Sequence, residues 1–304
     1  MALTKNKKII IVAGPTAAGK TGSAIEIAKH FKTEIISADS RQCFQELNIG
    51  VARPSEGELR QVKHHFIASH SVQDEVNAVV FEQYALKKIN ELFKENDTVV
   101  MVGGTGLYIK AFCEGLDDIP MVKTGIRNRI NAEFEEKGLS WLQEEIKSKD
   151  PEFYKAGEIQ NPQRVMRALE VIESTGESVL HFRKGEKIKR DFGIVKIGLE
   201  LPKEQLHQNI NTRVDRMIEN GLVEEVKKTE VFKHLNALQT VGYSEIFNYL
   251  DGRISLEQAI HDIKTSTRQY AKRQMTWFRK DKEIKWFAPD QLKEIIEFAK
   301  KGNS

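Results

Sequence analysis

The chain of 304 residues is 40% hydrophobic and 30% charged, a balance that suits one large or two modest soluble domains and excludes a disordered chain. With 47 basic and 44 acidic residues the net charge is only +3, so any nucleic-acid surface has to come from local clustering. Two cysteines, Cys43 and Cys113, exclude a disulfide framework or a zinc finger. No apolar run approaches the ~20 residues of a spanning helix and the start lacks a secretory signal, so no membrane contact and a reduced, cytoplasmic setting are expected.

The first predicted element is a strand over residues 8–13, a β-branched run that reads as a buried parallel strand. It ends at Gly14-Pro15-Thr16-Ala17-Ala18-Gly19-Lys20-Thr21, after which Ala24, Ile27, Ala28 and Phe31 recur at helical spacing. Strand, glycine-rich turn and helix in this order make a P-loop. Its backbone N–H groups curl toward a phosphate, the helix dipole and Lys20 add positive charge, and Thr21 can offer its hydroxyl to Mg²⁺. The pattern identifies a bound di- or triphosphate, not a reaction.

A second short strand is predicted over residues 34–37, and Asp39 stands at its end. Asp39 can ligate magnesium, take a proton as a general base, or cap a following helix, and position alone leaves all three open. Ser40, Arg41 and Gln42 suit a base edge or a phosphate, or are exposed loop polarity. His64, His65 and His70 lack a companion ligand at a sensible spacing and read as ordinary surface or core histidines. A third strand, over residues 98–102, runs into Gly103-Gly104-Thr105-Gly106, where a common P-loop ATPase would carry an acidic magnesium ligand. Those small residues either leave room for a bulky group near the phosphate or punctuate a turn. Strands alternating with helices predict an α/β fold, a parallel sheet covered by helices, with the three strand ends converging on one crevice.

From about residue 123 the chain changes character and predicts charged amphipathic helices over 126–137, 141–148 and 163–174. A strand over 194–199 returns to the sheet, helices follow, and a last strand is expected near 284–287. The expected organisation is therefore a core of 1–122 and 194–304 interrupted by a helical insertion domain of 123–193. Gln163 and Arg167 share a helix face, and Arg213 and Arg216 lie on another helix. Arg268, Lys272, Arg273, Arg279 and Lys280 are interleaved with Tyr270, Trp277 and Phe278. Such stretches can neutralise an RNA backbone and stack on unpaired bases, or be solvated faces with their aromatics turned inward.

Taken together, GPTAAGKT (14–21), ISADSRQ (36–42), IGVARP (49–54), VGGTGLYIKA (102–111), NPQRVMRALEV (161–171), VGYSEI (241–246) and AKRQMTWFRK (271–280) resemble the tRNA dimethylallyltransferase, or tRNA isopentenyltransferase, family of bacterial type. They stand in the family's order and span nearly the whole chain. Ala18 replaces the usual serine, Cys43-Phe44 an aliphatic and a tyrosine, and Val51 and Arg53 a threonine and a lysine.

The resemblance implies a P-loop NTPase-like core with a helical insertion contacting tRNA. It implies a Mg²⁺-dependent enzyme, monomeric, that moves a dimethylallyl group from dimethylallyl diphosphate to N6 of the adenosine 3′-adjacent to the anticodon, giving N6-isopentenyladenosine. It makes Asp39 the general base, with Lys20 and Thr105 in the catalytic set. Gly14, Pro15, Thr16, Ala17, Ala18, Gly19, Lys20, Thr21 and Arg213 hold the diphosphate or a nucleotide, with Thr21 on the metal. The tRNA anticodon stem-loop is expected to meet Asp39, Ser40, Arg41, Gln42, Thr105, Arg127, and Gln163, Arg164, Val165, Met166 and Arg167. It is also expected to meet Gln239, Thr240, Val241, Gly242, Tyr243 and Ser244, and Lys272, Arg273, Gln274, Met275, Thr276, Trp277, Phe278 and Arg279. A P-loop kinase of the nucleoside type is the alternative reading, and a non-catalytic RNA-binding P-loop protein is a third.

Overall fold

The run Lys-Ile-Ile-Ile-Val-Ala becomes β1 (Lys8–Ala13), with hydrogen-bonded neighbours on both edges, and its apolar side chains are sealed in the core. The structure is a computed structural model and describes residues 7–302; residues 1–6 and 303–304, which the expected core segments include, lie outside the described residues. After β1 come α1 (Lys20–Phe31), β2 (Ile35–Ser37), α2 (Glu56–Gln61), β3 (His64–His65), α3 (Ala78–Leu92), β4 (Thr98–Gly103) and α4 (Gly106–Glu114). A helical stretch follows, made of α5 (Thr124–Lys149), α6 (Pro151–Ala156), α7 (Pro162–Thr175) and α8 (Val179–Phe182). The chain then forms β5 (Gly193–Leu199), α9 (Lys203–Glu219), α10 (Leu222–Lys228), α11 (Tyr243–Leu250), α12 (Leu256–Phe278), β6 (Lys285–Phe287) and α13 (Leu292–Lys301).

Six parallel strands lie in the order β3-β2-β4-β1-β5-β6. Parallel pairing puts the carboxyl ends of β1, β2 and β4 along one edge of the sheet, the usual ligand side of an open α/β sheet. Strands buried on both faces need no polar alternation, which is why β1 and β4 are nearly continuous apolar runs. Strand β3 is the one the sequence reading missed. It is two residues long and apolar on neither side, and it is held to β2 by Ile35↔His64 and Ile36↔His65 pairing and by a His65–Glu34 side-chain contact.

By internal contacts the chain divides into two compact units. One comprises the described residues of Met1–Cys113 and Lys189–Ser304, and the other is Glu114–Ile188. The second has its own apolar core of Ile130, Leu142, Ile146, Phe153, Val165, Met166, Leu169 and Val179, drawn from α5 to α8. Helix α5 is broken at Gly138 (φ 73°), a left-handed conformation that a side chain would resist, so two helical stretches can pack separately against α7. Among the described residues no helix is long and apolar enough to cross a membrane.

Candidate active site

The P-loop leaves β1 at Gly14 and enters α1 after Gly19. Ala17 (φ 65°) and Gly19 (φ 83°) both take left-handed conformations, the alternation that turns successive backbone N–H groups toward one anion. Helix α9 closes over the loop. Asn209 donates to the Ala17 carbonyl at 3.2 Å, and the Arg213 guanidinium donates to the Thr16 hydroxyl at 3.1 Å. Lys20 folds back to donate to the Pro15 carbonyl at 2.7 Å. Burial lowers the Lys20 ammonium to about 7, with repulsion from Arg213 adding to the fall and Asp39 opposing it. Arg213 is likewise held below its ordinary value by burial. Two half-buried cations thus face one loop, an arrangement that favours an anion between them.

At the end of β2, Asp39 Oδ1 accepts from the backbone N–H groups of Arg41 (2.9 Å) and Gln42 (3.2 Å). This is an Asx turn rather than a helix cap, because turns and no helix follow Asp39. Gln42 spends its amide inside the protein, donating to the Val51 and Ala52 carbonyls (3.3 and 3.0 Å) and accepting from Ser37 (3.2 Å). Thr105, at the end of β4, accepts from the Ser40 N–H at 3.0 Å and so ties the third strand end to the Asp39 turn. Tyr270, on α12, sits close enough for Asp39 to act on it. Burial first and that carboxylate second push its phenol up to about 12, so it is a proton donor at neutral pH.

The glycines after β4 serve the protein itself. A Cβ at Gly103 would lie 2.1 Å from the Ala38 carbonyl oxygen, at Gly104 2.3 Å from Gln274 Nε2, and at Gly106 2.2 Å from the Trp277 ring. Of the two readings of these small residues, the contacts favour close packing against the β2 turn and α12.

These elements surround a cavity of about 490 Å³ lying wholly in the first unit. Thr16, Ala17, Gly19, Lys20, Thr21, Asp39, Ser40, Arg41, Gln42, Arg213, Thr240, Val241, Gly242 and Gln274 line it, as do Tyr270, Val214, Met217 and Ile263. Gly14, Pro15 and Ala18 are buried beneath the loop. The opposite wall, Gly50–Pro54, is organised by Glu225 of α10. Its carboxylate accepts from the N–H groups of Asn48, Ile49 and Gly50 (3.2, 2.8 and 3.0 Å) and from the Tyr243 hydroxyl (2.5 Å). Arg53 turns away onto the carbonyls of Phe44, Gln45 and Leu47. Sequence reasoning missed Glu225, since an acidic residue in Gly-Leu-Val-Glu-Glu-Val reads as helix surface.

Several residues expected to touch RNA do not present their side chains. Val165 and Met166 belong to the core of the second unit, while Tyr243, Gln274 and Phe278 are buried in the first, so their side chains pack or bond internally, Gln274 at the edge of the cavity. On α12 the buried residues Ala271, Gln274 and Phe278 follow i, i+3, i+7 spacing, a signal that was available in the sequence. Lys272, Arg273, Thr276, Trp277 and Arg279 are exposed on the other side, Met275 is half-buried, and Arg268 is engaged with Asn211 and Thr265. Gln239 is exposed and Ser244 half-buried on the way into α11. In the second unit, Gln163 and Arg164 are exposed. Arg127 and Arg167 converge on the buried Glu170 at 3.3 and 3.2 Å.

Among the described residues no group of three or more His, Cys, Asp or Glu side chains could hold a metal ion. Thr21 and Asp39 both line the cavity, a donor set that suits a magnesium ion held mainly by substrate phosphates and water.

A family model described as IPP transferase matches residues 42–281. A tRNA dimethylallyltransferase of Christiangramia forsetii is 50% identical over 291 residues, covering 95% of this chain and 96% of the relative. One of Cytophaga hutchinsonii is 46% identical over 293 residues, 96% of each. Among solved structures, a tRNA isopentenylpyrophosphate transferase from Bacillus halodurans shares 33% identity with a TM-score of 0.71, covering 97% of this chain and 96% of that one. A structure of a eukaryotic dimethylallyltransferase acting on tRNA shares 25% identity with a TM-score of 0.69, covering 89% and 69%.

Proposed function

Because the chain belongs to the tRNA dimethylallyltransferase family, we propose that its cavity joins the prenyl carbon of dimethylallyl diphosphate to N6 of the tRNA adenosine 3′-adjacent to the anticodon. The protein is a transferase of tRNA modification, and the nucleoside-kinase alternative is not favoured. The observation that carries the residue-level reading is the sharing of one cavity by the Lys20–Arg213 cradle and the Asp39 carboxylate.

In this reading the diphosphate is the leaving group. The N6 lone pair forms the new bond to C1 as the C1–O bond breaks, and the electron pair of that bond departs on the diphosphate. Lys20, Arg213 and the P-loop amides stabilise the growing negative charge. N6 is a weak nucleophile because its lone pair is delocalised into the ring. Asp39 takes the N6 proton as attack proceeds; Oδ1 is held by two amides, which leaves Oδ2 as the accepting oxygen. Thr105 positions this turn through Ser40. Mg²⁺ would be held by the Thr21 hydroxyl and diphosphate oxygens, where it supplies charge neutralisation of the leaving group. Val214, Met217 and Ile263 give the cavity an apolar side suited to the prenyl group.

The adenine has to leave the anticodon-loop stack to enter this cavity. Arg41, Gln239, Thr240, Lys272, Arg273, Trp277 and Arg279 in the first unit, and Arg127, Gln163, Arg164 and Arg167 in the second, are the side chains proposed for RNA. An enzyme of tRNA acts where tRNA is handled, in the cytoplasm. The test is incubation with an undermodified anticodon stem-loop and dimethylallyl diphosphate, followed by nucleoside mass analysis. The expected product is adenosine carrying one isopentenyl unit. ATP consumption with a nucleoside and no prenyl transfer would overturn the proposal.

A further inference from the structure

Gln274 is 6% exposed, and its carboxamide spans two loops. Oε1 accepts from the backbone N–H of Thr16 in the P-loop at 2.8 Å, and Nε2 donates to the Gly104 carbonyl at 2.9 Å. Tyr270, one turn earlier on α12, lines the same cavity as Gln274. The orientation of the carboxamide is dictated, because an N–H can meet only the oxygen of the amide and a carbonyl only the nitrogen. Position 104 is a glycine because a Cβ there would lie 2.3 Å from that nitrogen. One buried amide thus connects the phosphate loop, the turn whose Thr105 supports Ser40 and Asp39, and the helix that exposes Lys272, Arg273, Trp277 and Arg279.

We propose that Gln274 is a positioning residue that couples diphosphate binding to RNA binding, an inference that rests on the function proposed above. A diphosphate fixes the P-loop backbone and with it the Thr16 N–H. Because a buried polar network is costly when half satisfied, a fixed Thr16 fixes Gln274 and the seat of α12. RNA then meets a helix already ordered, and by reciprocity RNA binding prepares the cradle for the diphosphate.

The test measures the affinity of a labelled anticodon stem-loop with and without saturating inorganic pyrophosphate. For the wild-type protein, pyrophosphate should tighten RNA binding by about fivefold or more. Gln274→Met keeps nearly the same volume but leaves Thr16 and Gly104 without their partner, and the ratio should fall toward one. The salt dependence of RNA binding should stay unchanged, since no charge has moved. Gln274→Glu keeps the acceptor for Thr16 but turns a second oxygen toward the Gly104 carbonyl, and should also lower the ratio. Thermal unfolding shows which variants are folded. Should Gln274→Met not fold, Gln274→Glu decides between coupling and its absence. A ratio of one in the wild type, or an unchanged ratio in the folded variants, would overturn the proposal. Failure of the functional reading would look different: wild-type protein would not transfer the prenyl group, whatever the binding ratio.

Discussion

Around the P-loop the basic groups are half-buried and held by neutral partners of the loop itself. Lys20 and Arg213 are both lowered by burial, and each is tied to the loop by a hydrogen bond, of 2.7 and 3.1 Å. The basic patch of the second unit is built the other way: Arg127, Arg164 and Arg167 keep 38%, 47% and 33% of their side-chain surface, and each leans on a glutamate, Glu170 or Glu158. A diphosphate is small enough to be enclosed, so excluding water multiplies the effect of every charge around it. An RNA backbone is met at the surface, where salt screens each contact and many weak ones are summed. Loss of one group should therefore be felt far more in the cradle than on the RNA face.

The sharpest way to break that contrast is at Asp39. Asp39→Asn retains an Oδ1 that can accept from Arg41 and Gln42, so the turn should persist, while the proton acceptor is gone. Single-turnover transfer is expected to slow by roughly 10²–10⁴-fold with RNA and diphosphate binding maintained. A near-wild-type rate would reduce Asp39 to a turn former. If instead it holds magnesium, raising the metal concentration should restore part of the rate.

Lys20→Ala comes next, with pyrophosphate affinity expected to drop by about 10- to 100-fold, the scale of a lost charge-assisted hydrogen bond. The same residue sets a pH dependence. Its native value of about 7 lies below the ordinary 10.5, so between these two the unfolded chain holds the extra proton and this group lets stability rise with pH. An anion recharges the lysine, so above pH 7 pyrophosphate binding should take up a proton and weaken as pH rises. Calorimetry at pH 8 in buffers of different ionisation heat measures the uptake, with Lys20→Ala as the baseline for protons released by pyrophosphate itself. Equal uptake in the two proteins would mean that Lys20 is already charged.

The smallest effect is expected on the RNA side. Charge reversal of Lys272 and Arg273 should weaken stem-loop binding and flatten its salt dependence by about one unit of slope per lost phosphate contact. Pyrophosphate affinity should hardly move. RNA binding that survives intact would make these side chains a solvated face, and the contrast would then rest on the second unit alone.

The cradle was legible because its signals are local. A β-branched run, a glycine-rich turn and an amphipathic helix follow one another within 24 residues, from Lys8 to Phe31. Asp39 was legible as a position but not as a role, since its Asx turn depends on a backbone that no pattern announces. Strand β3 escaped because two histidines carry no alternation. Glu225 escaped because its partners, Asn48 to Gly50, lie about 175 residues away. Gln274 was assigned to RNA by resemblance, as part of the run Lys272 to Arg279, although helical spacing from Ala271 to Phe278 places it on the buried side.

The strand order has a consequence for biosynthesis. β1 pairs with β4 on one edge and with β5 on the other, and β5 begins only at Gly193. While the ribosome makes the intervening second unit, at about 5–20 residues per second, the edge of β1 that β5 will occupy stays unpaired for several seconds. An open edge of this kind is a template for pairing with another chain. Residues 114–188 carry their own apolar core and can fold during that interval, so the vulnerable surface belongs to the half-made sheet. Translation rate between Glu114 and Gly193 then sets how long that edge stays open, independently of the stability of the finished protein.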